Sequence, residues 1–142
     1  MSRVGRIVAC ALAVAVVLAV PAVAKAPSGK FKGQTERKQN FTMSVAGKRI
    51  SYVTFVFVCR KEQDVTATVS LQDFPLKRKD GVWQFKLFAY GSMNYSDDKG
   101  YENGQVHMKG RFSKSGRAAT GTLSVSTGRC GKSGAIDWQA RR

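Results

Sequence analysis

The chain has 142 residues, of which 24 are Lys or Arg and 9 are Asp or Glu, giving a formal net charge of +15, with one histidine and three cysteines. That length suits one domain with a single core. A single histidine excludes histidine-rich metal centres, and the basic excess points to polyanions as the molecules drawn to this surface.

The first residues carry Arg3 and Arg6, and from 7 to 20 no polar side chain interrupts the run except the thiol of Cys10. Pro21 then breaks it, and Ala22-Val23-Ala24 places small residues where signal peptidase requires them. The pattern predicts a secretory signal peptide over 1–24, a mature chain from Lys25, and a secreted or cell-envelope location. As a membrane anchor the run is short against the roughly 20 residues a bilayer core needs, so no transmembrane segment is expected in the mature chain. A lipidated Cys10 fails on order, since the apolar stretch follows the cysteine. Removing 24 residues that carry two arginines and no acid leaves 118 residues with 22 basic and 9 acidic side chains, a net charge of +13. It also leaves two cysteines, Cys59 and Cys130. In an oxidising compartment their one intramolecular pairing is the expected disulfide, with two buried free thiols as the alternative.

Residues 25–29 read as an irregular, mobile N-terminal arm around Pro27, Ser28 and Gly29, and 30–142 as one β domain. Beyond the arm the apolar spacing has period two and nowhere sustains the helical period. Phe41, Met43 and Val45 share one face, Gly47 turns the chain, and 50–59 answers as the partner strand of a hairpin. From Val53 to Cys59 both faces are apolar or β-branched, which predicts a strand covered on both sides. Val65, Ala67, Val69 and Leu71 alternate next, and Pro75 assigns its segment to a strand start or an edge. Residues 77–81 form a basic turn ending in Asp80-Gly81. Trp83, Phe85, Leu87 and Ala89 then line one face opposite Gln84 and Lys86. Residues 91–104 lack periodicity and read as the largest loop. Val106, Met108, Gly110 and Phe112 form the next inward set, followed by Ala119, Gly121, Leu123 and Val125, with Ile136 and Trp138 on the closing strand.

About eight strands at ten-residue spacing predict an all-β fold with one disulfide, an antiparallel meander closing as a small barrel or a two-sheet sandwich. Glycine within strands, at 110 and 121, favours the curl of a barrel.

The order GxFxGxT over 29–35, a mid-chain strand ending in cysteine, GRF over 110–112, ATGTL over 119–123, and Cys130 followed by SG and W-x-A-R at 138–141 resembles a group of small exported bacterial β proteins. Members of that group carry no assigned activity, so the resemblance implies a fold and a location and no chemistry. CGKSGAIDW departs from it by one extra residue between the cysteine and the tryptophan.

Catalytic and metal readings fail on spacing. His107 lies opposite Val106, Met108 and Phe112 and has no nucleophile elbow to serve. Asp97, Asp98 and Glu102 lack the EF-hand spacing and read as a solvated acidic tip, with a calcium site as the alternative. Gly131-Lys132-Ser133 lacks the earlier glycine of a phosphate loop, since Ser126 stands there. No cofactor, no metal and no enzymatic activity are expected. What remains is charge in nearly every turn. The residues expected to meet a polyanion are Lys48, Arg49, Lys77, Arg78, Lys79, Arg129 and Lys132, with an anionic envelope polymer or lipid head groups as partner. Nucleic acid is not expected, for want of a readable module. The alternative is a small barrel holding a ligand against Trp83 and Phe85.

Overall fold

The computed structural model describes residues 25–142, so the signal peptide expected over 1–24 lies outside the described residues. The described residues form ten strands and no helix: β1 (Gly29–Thr35), β2 (Asn40–Ala46), β3 (Arg49–Val58), β4 (Thr66–Pro75), β5 (Lys77–Lys79), β6 (Val82–Tyr95), β7 (Tyr101–Phe112), β8 (Ala118–Thr127), β9 (Gly131–Lys132) and β10 (Ile136–Arg141). Neighbours pair antiparallel in the order β10-β1-β2-β3-β4-β6-β7-β8, and β10 also pairs with β8. That second pairing closes an eight-stranded barrel and removes the sandwich. The two short strands add to its rim, β5 on the start of β6 and β9 on the end of β8.

Period-two alternation sorts the side chains as a barrel wall requires. Phe31, Phe41, Met43, Val53, Phe55, Phe57, Val69, Met93, Val106, Met108, Phe112, Leu123 and Trp138 are buried inside. An eight-stranded barrel has an interior just wide enough for side chains to fill, and here aromatic rings fill it. Trp138 stacks on Phe41 with centroids 4.4 Å apart and an interplanar angle of 8°, and it also meets Phe85 at 6.1 Å. Phe31 meets Phe112 edge-on at 5.3 Å.

Two strand-interior glycines make room for that tryptophan. A Cβ at Gly110 would lie 2.5 Å from Trp138 Cζ2, and one at Gly121 would lie 2.7 Å from the same atom and 2.0 Å from the Lys109 carbonyl oxygen. Gly110 and Gly121 face each other in the β7–β8 register, and Trp138 is the partner of Gly121 in β10. The close backbone approach expected at these positions is therefore a ring lying on bare main chain.

Three expectations need correction. Residues 91–104 are mostly strand: β6 continues to Tyr95 and β7 begins at Tyr101, leaving a loop over 96–100. Gly91 pairs with Gly104, so two inward positions lack side chains and the apolar alternation vanishes from the sequence although the ladder continues. Met93 packs over the vacated site, within 2.1 Å of where a Gly104 Cβ would be. Second, β3 is covered on one face only, because Thr54, Val56 and Val58 point to the outside of the barrel and are half-exposed. Third, residues 25–28 form no strand but lie against the barrel: Pro27 is buried near Gly116, and Arg142 donates to the Ser28 carbonyl at 3.1 Å.

Cys59, just beyond β3, is joined to Cys130 between β8 and β9 across 71 residues. Such a link stabilises by about 4 kcal/mol in the loop-entropy model. Pro75 ends β4 opposite Arg49, where its missing N–H interrupts no long ladder.

Gly121→Ala should lower unfolding stability by about 1–3 kcal/mol through overpacking against Trp138 and the Lys109 carbonyl. Urea titration measures it, and an unchanged midpoint would show that the wall yields at no cost. Cys59→Ser should depress Tm markedly, and reduction of the unmutated protein should reproduce the loss.

Candidate functional site

Antiparallel closure sends the connections to two ends of the barrel. One end carries the turns after β2, β4 and β7 together with the last residue, Arg142; the other carries the turns after β1, β3, β6 and β8 with the disulfide. At the first end Lys48, Arg49, Lys77, Arg78 and Lys79 come together. The Leu76 N–H donates to the Lys48 carbonyl at 2.9 Å, and the Lys48 ammonium stands 5.9 Å from the centre of the Trp83 ring. Gly47 and Lys48, like Asp80 and Gly81, all have positive φ, which sets two tight turns and turns their side chains to solvent. Arg49 pairs with Asp73 at 2.6 Å, both exposed, a contact that contributes little to stability. Lys114, Arg117 and Arg142 extend the same end.

Arg129 and Lys132 lie at the opposite end, and Arg129 is bound within the protein. Its Nη2 and Nη1 donate to the two carboxylate oxygens of Asp97 at 2.5 and 3.1 Å, its Nε to Glu62 at 2.8 Å, and Nη1 also to the Lys99 carbonyl at 2.7 Å. The guanidinium also lies over the Tyr95 ring, 4.5 Å from its centre. A planar fork that meets a carboxylate in two bonds and an aromatic face at once is a role for arginine that lysine cannot fill. Asp97 is thereby held down to about 2, chiefly by the hydrogen bond from Arg129, and the Arg129 value is raised in turn. Below the clamp the Tyr95 hydroxyl donates to Glu102. Burial raises the tyrosine value, and the tyrosine's hydrogen bond lowers that of Glu102, so the proton stays on the phenol. Asp97 and Glu102 therefore close the disulfide end by pairing, while Asp98 stays exposed. Among the described residues no group of three or more His, Cys, Asp or Glu side chains is placed to hold a metal ion.

Ser133 of the GKS triplet is buried, accepting from the Val125 N–H at 2.9 Å and donating to the Gly134 carbonyl at 2.7 Å. It caps a rim turn. Thr127 similarly accepts from the Cys130 N–H at 2.7 Å, fixing the disulfide's approach.

The outer face of β6, β7 and β8 holds a group that the inward-looking alternation passes over. Phe88 and Tyr90 are 56% and 66% exposed, and Phe88 lies 4.4 Å from His107 across the ladder. Their signal is visible in the sequence as aromatic residues in phase with Lys86, on the face opposite Phe85 and Leu87.

No family model, curated protein or solved structure matches this chain.

The clamp links stability to acid. Asp97 is depressed from an ordinary 3.8 in the folded state, so its contribution is complete above about pH 4 and is lost as pH falls towards 2. Thermal melts over that range should therefore fall more steeply for the native protein than for Asp97→Asn, which should be less stable at pH 7. Parallel curves would remove the clamp from the acid response.

Proposed function

We propose that this protein is a non-enzymatic exported β domain that associates with anionic cell-envelope material through its basic turns. The supporting observation is segregation of charge along the barrel. Of the nine acidic side chains only Asp73 and Asp80 lie at the end bearing Lys48, Arg49 and Lys77–Lys79; the other seven, Glu36, Glu62, Asp64, Asp97, Asp98, Glu102 and Asp137, lie at the disulfide end. There they meet seven basic ones, Arg37, Lys38, Arg60, Lys61, Lys99, Arg129 and Lys132. The net +13 of the mature chain is thus carried by the first end and the wall, and one end of the molecule presents an almost unopposed positive field. The disulfide fits an oxidising location.

What weighs against the small-barrel alternative is the interior, where Phe85 is buried among Phe74, Phe112 and Trp138 and side chains fill the space a ligand would take.

Retention on a polyanion resin should weaken steeply from low to moderate salt, as the Debye length shortens to about 8–10 Å. Lys77→Glu/Arg78→Glu/Lys79→Glu should weaken binding at least tenfold, at roughly 0.5 kcal/mol or more per reversed charge. Lys61→Glu at the balanced end should have a smaller effect. Retention that is indifferent to salt, or equal losses from the two ends, would sink the proposal.

A further inference from the structure

The outer wall between the two ends is also built for binding. Every second residue of β7 from Arg111 back to Gln105 points outward, and the register places Lys86 opposite Lys109, Phe88 opposite His107 and Tyr90 opposite Gln105. On the other side of β7, Thr120, Thr122, Ser124 and Ser126 stand opposite Arg111, Lys109, His107 and Gln105. Three depressions of roughly 340, 140 and 400 Å³ follow one another along this wall. The first two share Lys86, Lys109 and Thr122, and the last two share His107, Ser124 and Ala135, so they form one groove. A fourth depression shares Arg111 and Thr120 with the first and carries the groove to Lys114 at the basic end.

We propose that this groove on the outer face of β6, β7 and β8 binds a linear acidic polysaccharide, with Lys86, Lys109 and Arg111 as its carboxylate contacts and with Phe88 and Tyr90 as stacking rings at its flank, where Phe88 lies 4.4 Å from the groove residue His107 and Tyr90 accepts from the groove residue Gln105 at 3.2 Å. No acidic residue lines these four depressions, whereas Glu36 and Asp137 line a fifth that shares Thr120, Gly121 and Thr122 with the first and so bound the groove on its β10 side. Exposed aromatic rings of this size on a sheet mark binding surfaces. The hydroxyl and amide side chains facing them decide the class of partner. A sugar hydroxyl both donates and accepts, and Thr120, Thr122, Ser124, Ser126 and Gln105 can answer in either sense. A lipid surface calls for an apolar face to enter the acyl boundary, and β8 offers a row of hydroxyls instead. A single-stranded nucleic acid would use the rings, the cations and, through its phosphates, the donor side of the hydroxyls but leave the acceptor side of the row largely unanswered. Arg111 to Gln105, the part of β7 that lines the groove, spans roughly 20 Å of strand, a track that suits a short stretch of polymer.

The inference names the polymer class within the function proposed above, and its test separates the two. Calorimetric titration of the purified protein would use alginate oligosaccharide as the uronate probe, beside a neutral glucan of matched length, poly(dT) and anionic phospholipid vesicles. Phe88→Ala/Tyr90→Ala should weaken alginate binding about ten- to a hundredfold, as expected when anchoring rings are lost. Lys86→Gln/Lys109→Gln should weaken it several-fold, and the neutral glucan should bind more weakly than alginate. Far-UV circular dichroism should be unchanged, since these side chains point outward. The inference is overturned if the aromatic double variant binds alginate as the native protein does. Tighter binding of poly(dT) or of vesicles, with the same dependence on Phe88 and Tyr90, overturns it equally. If the Lys77–Lys79 charge reversal abolishes binding while the aromatic variant does not, the groove falls and the basic end stands; if neither matters, both fall.

Discussion

Closure of the barrel by β10 is the constraint on which the rest depends. This last strand pairs with β8 on one side, Trp138 opposite Gly121, and with β1 on the other, Trp138 opposite Thr35. It thus joins the first stave to the last with no sheet edge left between them, which removes the template for edge-to-edge association. The same residue that sits at the seam also organises the interior, because Trp138 contacts Phe41 and Phe85 on opposite parts of the wall. A tryptophan at that point is compatible with continuous hydrogen-bonded pairing only where facing strands carry no Cβ, and Gly110 and Gly121 meet the condition. Seam, core and glycine positions are one solution to one packing problem.

The disulfide and the Arg129 clamp treat the weakest part of that solution. At the Cys59–Cys130 end three connecting segments, 59–65, 96–100 and 128–130, lie outside the strands. The covalent link ties the first of these to the third. Arg129 ties all three, through Glu62, Asp97 and the Lys99 carbonyl, and stacks on Tyr95 at the barrel mouth. A surface ion pair alone contributes little, but one planar cation that answers two carboxylates, a carbonyl and a ring forms a network, with Arg129 only 22% exposed. The consequence for function is indirect: the acids of the molecule are consumed where the loops need them, and the opposite end is left basic.

How far the sequence reveals this structure depends on what occupies the inward positions. Where they are apolar, as in β2, β3, β7 and β8, alternation names the buried residues correctly and predicts the hairpin turn at Gly47. Where glycine takes them, at 91 and 104 in the β6–β7 ladder, the pattern is blank and strand reads as loop. The disulfide is accessible because, once the leader expected over 1–24 is set aside, two cysteines leave one pairing. The clamp is not: Arg129 is 27 to 67 residues from its partners, and nothing local distinguishes a solvated arginine from a paired one. Among the basic residues, five of seven do converge on one end, but only the antiparallel path, which brings the turns after β2 and β4 together, places them there.

A barrel whose interior is packed must recognise its partners on its outside, and here the outside is uneven. Five of the eight barrel strands, β1 to β4 and β10, follow the usual rule for a solvated sheet, with polar and charged side chains on most outward positions, relieved by half-buried Val56, Val58 and by Tyr52, whose hydroxyl is matched to Ser70 at 3.0 Å. On β6 the rule breaks twice in succession, at Phe88 and Tyr90. Leaving two large rings in water forgoes burial that each could have contributed to folding, on the order of 2 kcal/mol for a ring of this size. Neither ring is needed for the core, where Leu87 and Ala89 already occupy the inward positions. Local departures from the folding pattern that folding does not explain are where a surface is shaped for something else, and this one adjoins a groove that continues to Lys114 at the basic end.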